Sequence, residues 1–137
     1  MFRFVKSLTF WWPVTVREPD PDQPGAMVEQ SFEAQFKLIN DARVKASRQA
    51  RRALMDRLTP DMSAGDIEAI QDEIDAHDRA ALVEVLADWR DICDGDGLPI
   101  PFSGPAFEEL YGERRFRAAL TRAYGEAIAE DGGRVKN

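Results

Sequence analysis

The segment from Trp89 to Phe102, WRDICDGDGLPIPF, constrains this chain more than any other. It lies between two stretches of helical periodicity, so a helix has to end there. Asp94, Gly95, Asp96 and Gly97 accept the turn and left-handed conformations that stop one. Pro99 and Pro101 then hold the chain extended and remove two amide donors. Leu98, Ile100 and Phe102 alternate through a stretch without a helix of its own, which calls for an apolar surface to lie against. A compact connector between helices is specified.

With 137 residues, 44% hydrophobic and 31% charged, the chain has the size and composition of one ordinary globular domain, residues 1–137. No run approaches the ~18–20 apolar residues needed to cross a bilayer, and no membrane partner is expected. Arg3 and Lys6 beside an apolar run invite a signal-peptide reading. That run, Leu8 to Val16, is cut by Pro13, holds two tryptophans and lacks a small-residue cleavage site, so it reads as a strand. The single cysteine, Cys93, excludes an internal disulfide and fits a reducing compartment.

The net charge of −7 is unevenly spread. Residues 40–60 carry six basic and two acidic groups, whereas residues 61–100 carry twelve acidic and two basic. Nucleic acid needs a concentrated basic face and is repelled by the chain as a whole, so it is not an expected partner. The basic segment is equally suited to its own acidic neighbour or to an acidic partner.

Phe10, Trp12, Val14 and Val16 alternate with Trp11, Thr15 and Arg17, and a second alternation runs from Val28 to Lys37. The turn formers of Arg17–Gly25 between them are not expected to continue the strand. The two runs predict an antiparallel hairpin over 8–37, whose aromatic face has to cover helices or pair with another chain, so self-association stays open. A helical region over 40–129 follows. Asn40 and Asp41 open a helix to about Leu58, thin in apolar residues and basic around most of its circumference. Ile67, Ile70, Ile74, Leu82, Val85, Leu86 and Trp89 then predict one long helix from about Ala64 to Asp91, with a break near His77 or burial by a partner as ways to accommodate its length. Ser103 caps a short helix, and a last one runs from Glu113 to Ala129. Residues 130–137 read as a short flexible tail. The expected fold is α+β: an N-terminal antiparallel β-hairpin packed with a bundle of about four helices, including one long central helix.

No catalytic centre emerges. His77 is the only histidine and has no second one at ligand spacing. Carboxylates beside Cys93 disfavour its thiolate. A calcium loop begun at Asp94 or Asp91 puts Pro105 or Phe102 where the bidentate glutamate belongs. The acids of Asp66–Asp78 lie on the wet side of a helix, not across a cleft. No cofactor, metal or catalytic residue is therefore expected. Trp11 and Trp12 are adjacent in a strand and point to opposite faces, so one is open to a partner or to coverage by the hairpin's neighbours.

The chain resembles the tail assembly chaperones of long-tailed bacteriophages and prophages. The resemblance rests on WWPVTVREP (Trp11–Pro19) with EQSFEAQFKLI (Glu29–Ile39), on LVEVLADWRDICDGDGLPIPFS (Leu82–Ser103) and on FRAALTRAYGEAI (Phe116–Ile128). It spans about 120 residues, and its most specific part is the connector. Proteins of that family are small, largely helical and non-catalytic. They act in the cytoplasm of the bacterial host, bind the tape measure protein, keep it soluble, help recruit tail tube protein and are absent from the mature virion. The resemblance implies that Trp89, Gly97, Pro99, Pro101 and Phe102 form a structural connector. It also implies a long helical partner; the uneven charges and paired tryptophans then lead to the expectation that Arg48, Arg51 and Arg52 meet its acids and that Trp11 or Trp12 anchors on it. The alternatives are a head–tail connector or tail terminator component of the particle, and a small DNA-binding regulatory protein acting through Arg43–Arg57.

Overall fold

The computed structural model describes residues 1–129, and the tail predicted for 130–137 lies outside them. The elements in chain order are β1 (Thr9–Pro19), β2 (Met27–Lys37), α1 (Asp41–Met55), α2 (Ala64–Val85), β3 (Leu86–Arg90), α3 (Gly104–Tyr111) and α4 (Arg114–Ile128). This is an α+β chain with N-terminal antiparallel strands and four helices, of which α2, at 22 residues, is the longest. Its contacts divide into two compact units, one of Met1–Ser7 with Lys37–Val85 and one of Leu8–Phe36 with the chain from Leu86 onward.

In the first unit α1 and α2 form an antiparallel helical hairpin. Asn40 caps α1 by accepting from the amide of Arg43 at 2.9 Å, and Ser63 accepts from the amide of Asp66 ahead of α2. No residue of α1 is fully buried, whereas α2 buries Ile70, Ile74, Leu82 and Val85 at helical spacing. The helix runs unbroken past His77.

The second unit is built on a three-stranded sheet in the order β1-β2-β3. β1 continues through Arg17 and Glu18 to Pro19, so the turn is confined to Asp20–Ala26, where the amide of Asp20 reaches the carbonyl of Ala26 at 2.9 Å. The turn formers predicted a shorter strand. Cross-strand pairing keeps Arg17–Pro19 extended despite their low strand preference. Pro13 is tolerated because β1 is an edge strand, with no ladder partner on its outer side to miss an amide. That edge is protected as well: Arg122 of α4 donates to the Thr15 carbonyl at 2.7 Å.

β3 is the main departure from expectation. The long helix was expected to reach Asp91, but it ends at Val85 and the next five residues pair antiparallel with β2. Phe36 faces Leu86 and Gln35 faces Asp88, which leaves Ala87 as an extra residue in a β-bulge. The bulge puts Leu86 and Trp89, three residues apart, on one buried face. A spacing of three is also helical spacing, which is why the pattern reads as helix in sequence.

α4 lies against the sheet and closes the core. Phe116 stacks on Phe32 at 5.5 Å and meets Trp89 edge-on at 5.7 Å, while Tyr124 meets Phe36 at 5.1 Å. Val14, Phe36 and Leu120 are the largest side chains sealed completely. Ser103 caps α3 by accepting from the amide of Ala106 at 3.1 Å.

Candidate partner-binding surface

The opposite charges of residues 40–60 and 61–100 meet within the chain. Arg43 makes a two-pronged contact with Glu84 at 2.8 and 3.0 Å, Arg51 with Asp78 at 2.8 and 3.2 Å, and Arg57 reaches Glu73 at 3.0 Å. These three rungs run along the α1–α2 seam, and His77 adds a fourth contact, 3.3 Å from the Ser47 hydroxyl. Paired guanidinium–carboxylate geometry favours both charged forms. The hydrogen bond from Arg43 holds the Glu84 carboxyl below its ordinary value, and Glu84 and Asp78 push Arg43 and Arg51 up.

Of the three arginines expected to face a partner, Arg51 is therefore committed to Asp78. Arg48 and Arg52, one helical turn apart on the exposed side of α1, have no ion-pair or hydrogen-bond partner among the described residues. Lys45 is exposed beside them and equally unpaired. The helix thus divides its cations: one side zips to α2 and the other remains available.

Trp11 and Trp12 belong to the sheet unit and do take opposite faces. Trp11 lies on the polar face, with the Arg90 guanidinium 4.0 Å from its ring centroid and Arg90 itself bonded to Glu33 at 2.7 Å. Trp12 is on the α4 side, edge-on to Phe10 at 6.3 Å, and its indole nitrogen is buried without a hydrogen-bond partner among the described residues. Sequence reading missed Arg90, because its contact with Glu33, 57 residues away, follows only from the β2–β3 register. It also gave no weight to Phe2 and Phe4, which are 85% and 73% exposed ahead of β1.

The connector forms a small closed loop. The amide of Ile100 bonds the Ile92 carbonyl at 2.8 Å, the amide of Asp94 bonds the Leu98 carbonyl at 2.9 Å, and Cys93 bridges Pro99. Asp94 accepts from the amides of Asp96 and Leu98, and Gly97 sits at φ +84°. Trp89 anchors the loop, donating from its indole to the Ile100 carbonyl at 2.8 Å and packing edge-on against Phe102 at 4.9 Å. Pro99 and Pro101 stand on either side of that carbonyl. Leu98, expected to be covered, is 63% exposed, because it follows Gly97 at the loop's tip. Among the described residues no group of three or more histidines, cysteines or carboxylates is placed to hold a metal, and no helix is long and apolar enough to cross a membrane.

No family model, curated protein or solved structure matches the chain.

Proposed function

We propose that the protein is a non-catalytic tail assembly chaperone of a long-tailed phage or prophage, which binds the tape measure protein, keeps it soluble and helps recruit tail tube protein. The observation that carries this reading is α1, a charged helix with no buried residue, whose Lys45, Arg48 and Arg52 have no partner among the described residues after α2 has taken Arg43 and Arg51, and Arg57 just beyond the helix. A helix clamped along one side and cationic along the other suits an acidic helical partner. The residues that carry the family resemblance add support: Trp89, Gly97, Pro99, Pro101 and Phe102 lie in one closed loop, with Trp89 bonded to the Ile100 carbonyl and packed on Phe102. Neutralisation of three of the basic segment's six cations by their own neighbours weakens a nucleic-acid reading, since phosphate binding needs those charges free.

Acting as such a chaperone, the protein works in the host cytoplasm and leaves before the virion matures. The test is co-expression with the tape measure protein encoded beside it, followed by copurification and mass analysis of the complex and of purified particles. The reading requires a stable complex that is lost in Arg48→Ala/Arg52→Ala and weakened in Trp11→Ala or Trp12→Ala, with the protein missing from particles. Persistence in particles would make it a connector or terminator component instead.

A further inference from the structure

The second unit contains a cleft of about 200 Å³ lined by residues of the β1–β2 hairpin, of the start of the connector and of α3 and α4 with the turn between them. Its floor is apolar, formed by Val16, Phe32, Ile92, Leu110 and Phe116. Its rim is acidic. Glu18, Asp91 and Glu113 line it against a single cation, Arg115, which already contacts Glu18 at 2.8 Å and Glu113 at 3.4 Å. Three carboxylates against one guanidinium leave an excess of negative charge over an apolar surface. Glu18 also accepts from the side-chain amide of Gln30, while Asp91 is exposed and has no partner among the described residues.

The sheet leaves an open edge at the same place. β3 pairs with β2 only as far as Glu33 and Arg90. At the next residue, Asp91, the backbone enters the left-handed region at φ +68°, unusual for a non-glycine residue, and the chain turns away into the connector. β2 continues for six more residues, Met27–Phe32, paired to β1 on one side. On the β3 side no backbone hydrogen bond reaches those residues among the described ones. Gln30, Ser31 and Phe32 from this stretch line the cleft. An unpaired strand edge is a template for another extended chain, with main-chain bonds supplying affinity and alternate side chains supplying selectivity.

We propose that this cleft receives an extended segment of a partner protein, which pairs with β2 along Met27–Phe32, lays apolar side chains on the Phe32–Phe116 floor and presents a lysine or arginine to Asp91 and Glu113. Charge complementarity chooses the occupant, because an acidic segment meets Glu18, Asp91 and Glu113 together. The site lies wholly in the sheet unit and is independent of the α1 surface, so either reading can fail without the other.

The test uses the full chain and two fluorescein-labelled nonapeptides, one alternating valine with lysine and one alternating valine with glutamate. Fluorescence anisotropy should show binding of the lysine peptide alone. Asp91→Asn/Glu113→Gln should weaken it by roughly tenfold, the loss expected for two exposed ion pairs. Asparagine tolerates the left-handed backbone, and Glu113 makes no side-chain cap for α4, so the double variant keeps its fold. Alkylation of Cys93, the chain's single cysteine and exposed at the cleft wall, with N-ethylmaleimide should reduce binding further. Hydrogen exchange should show new protection at alternate amides of Met27–Phe32 with the peptide bound. Equal binding of both peptides, or binding without that protection, overturns the proposal. Protection that grows with protein concentration in the absence of peptide also overturns it, by assigning the edge to a second copy of the chain.

Discussion

Shortening Trp89 to phenylalanine tests whether the connector is held by one side chain. The indole is 4% exposed, donates to the Ile100 carbonyl at 2.8 Å and fills the space between Phe102 and Phe116. Trp89→Phe removes the donor. Because Ile100 is only half-buried, water can replace it, and the loss is about 1 kcal/mol. Shrinking the ring in a packed site costs roughly 1–1.5 kcal/mol more, for a total near 2–2.5 kcal/mol. Trp89→Ala, which also gives up both edge-on ring contacts, should cost about 3–5 kcal/mol. Urea unfolding followed by far-UV circular dichroism measures both values. Hydrogen exchange at the amides of Asp94 and Ile100, which close the loop, localises the effect. If Trp89→Phe falls within about 0.5 kcal/mol of the parent, the range of an ordinary surface change, and those amides keep their protection, the anchor account is refuted.

The Glu84 carboxyl is held low by the hydrogen bond from Arg43, so its stabilisation is complete above the unfolded value of about 4.3 and is lost as pH falls through the lower folded value. Acid titration of stability should therefore show a loss on that limb, reduced in Glu84→Gln. Gly97→Ala should cost about 1–2 kcal/mol in thermal or urea unfolding through its φ of +84° alone, since no atom lies within 4 Å of the added carbon. Arg51→Ala should lower stability by about 0.3–1 kcal/mol, as one exposed ion pair does, while Arg48→Ala stays within about 0.5 kcal/mol because it breaks no ion pair or hydrogen bond among the described residues. Trp12→Phe should be neutral or stabilising by up to ~1 kcal/mol, because it removes a buried donor that has no acceptor.

Much of this protein is local in origin and so was legible in its residues. Asn40 and Ser103 cap helices through contacts three residues away, the alternation of Val28–Lys37 is a strand, and Asp94–Gly97 form a turn from their own side chains and backbone freedom. The excess of positive charge before Pro60 and of negative charge after it announced an ionic surface. What the residues could not announce was the occupant of that surface. Only the antiparallel pairing of α1 with α2 decides that Arg51 is spent on Asp78 while Arg48 and Arg52 find no partner among the described residues. The third strand escaped for a similar reason. Leu86 and Trp89 satisfy a helix and a bulged strand equally, and the choice is made by Ala34 and Phe36, some fifty residues earlier, which offer a sheet edge to pair with. Spacing along a chain sets which faces are apolar or charged; long-range pairing sets what each face meets, and here it also leaves Met27–Phe32 beside an acidic cleft with an edge unfilled.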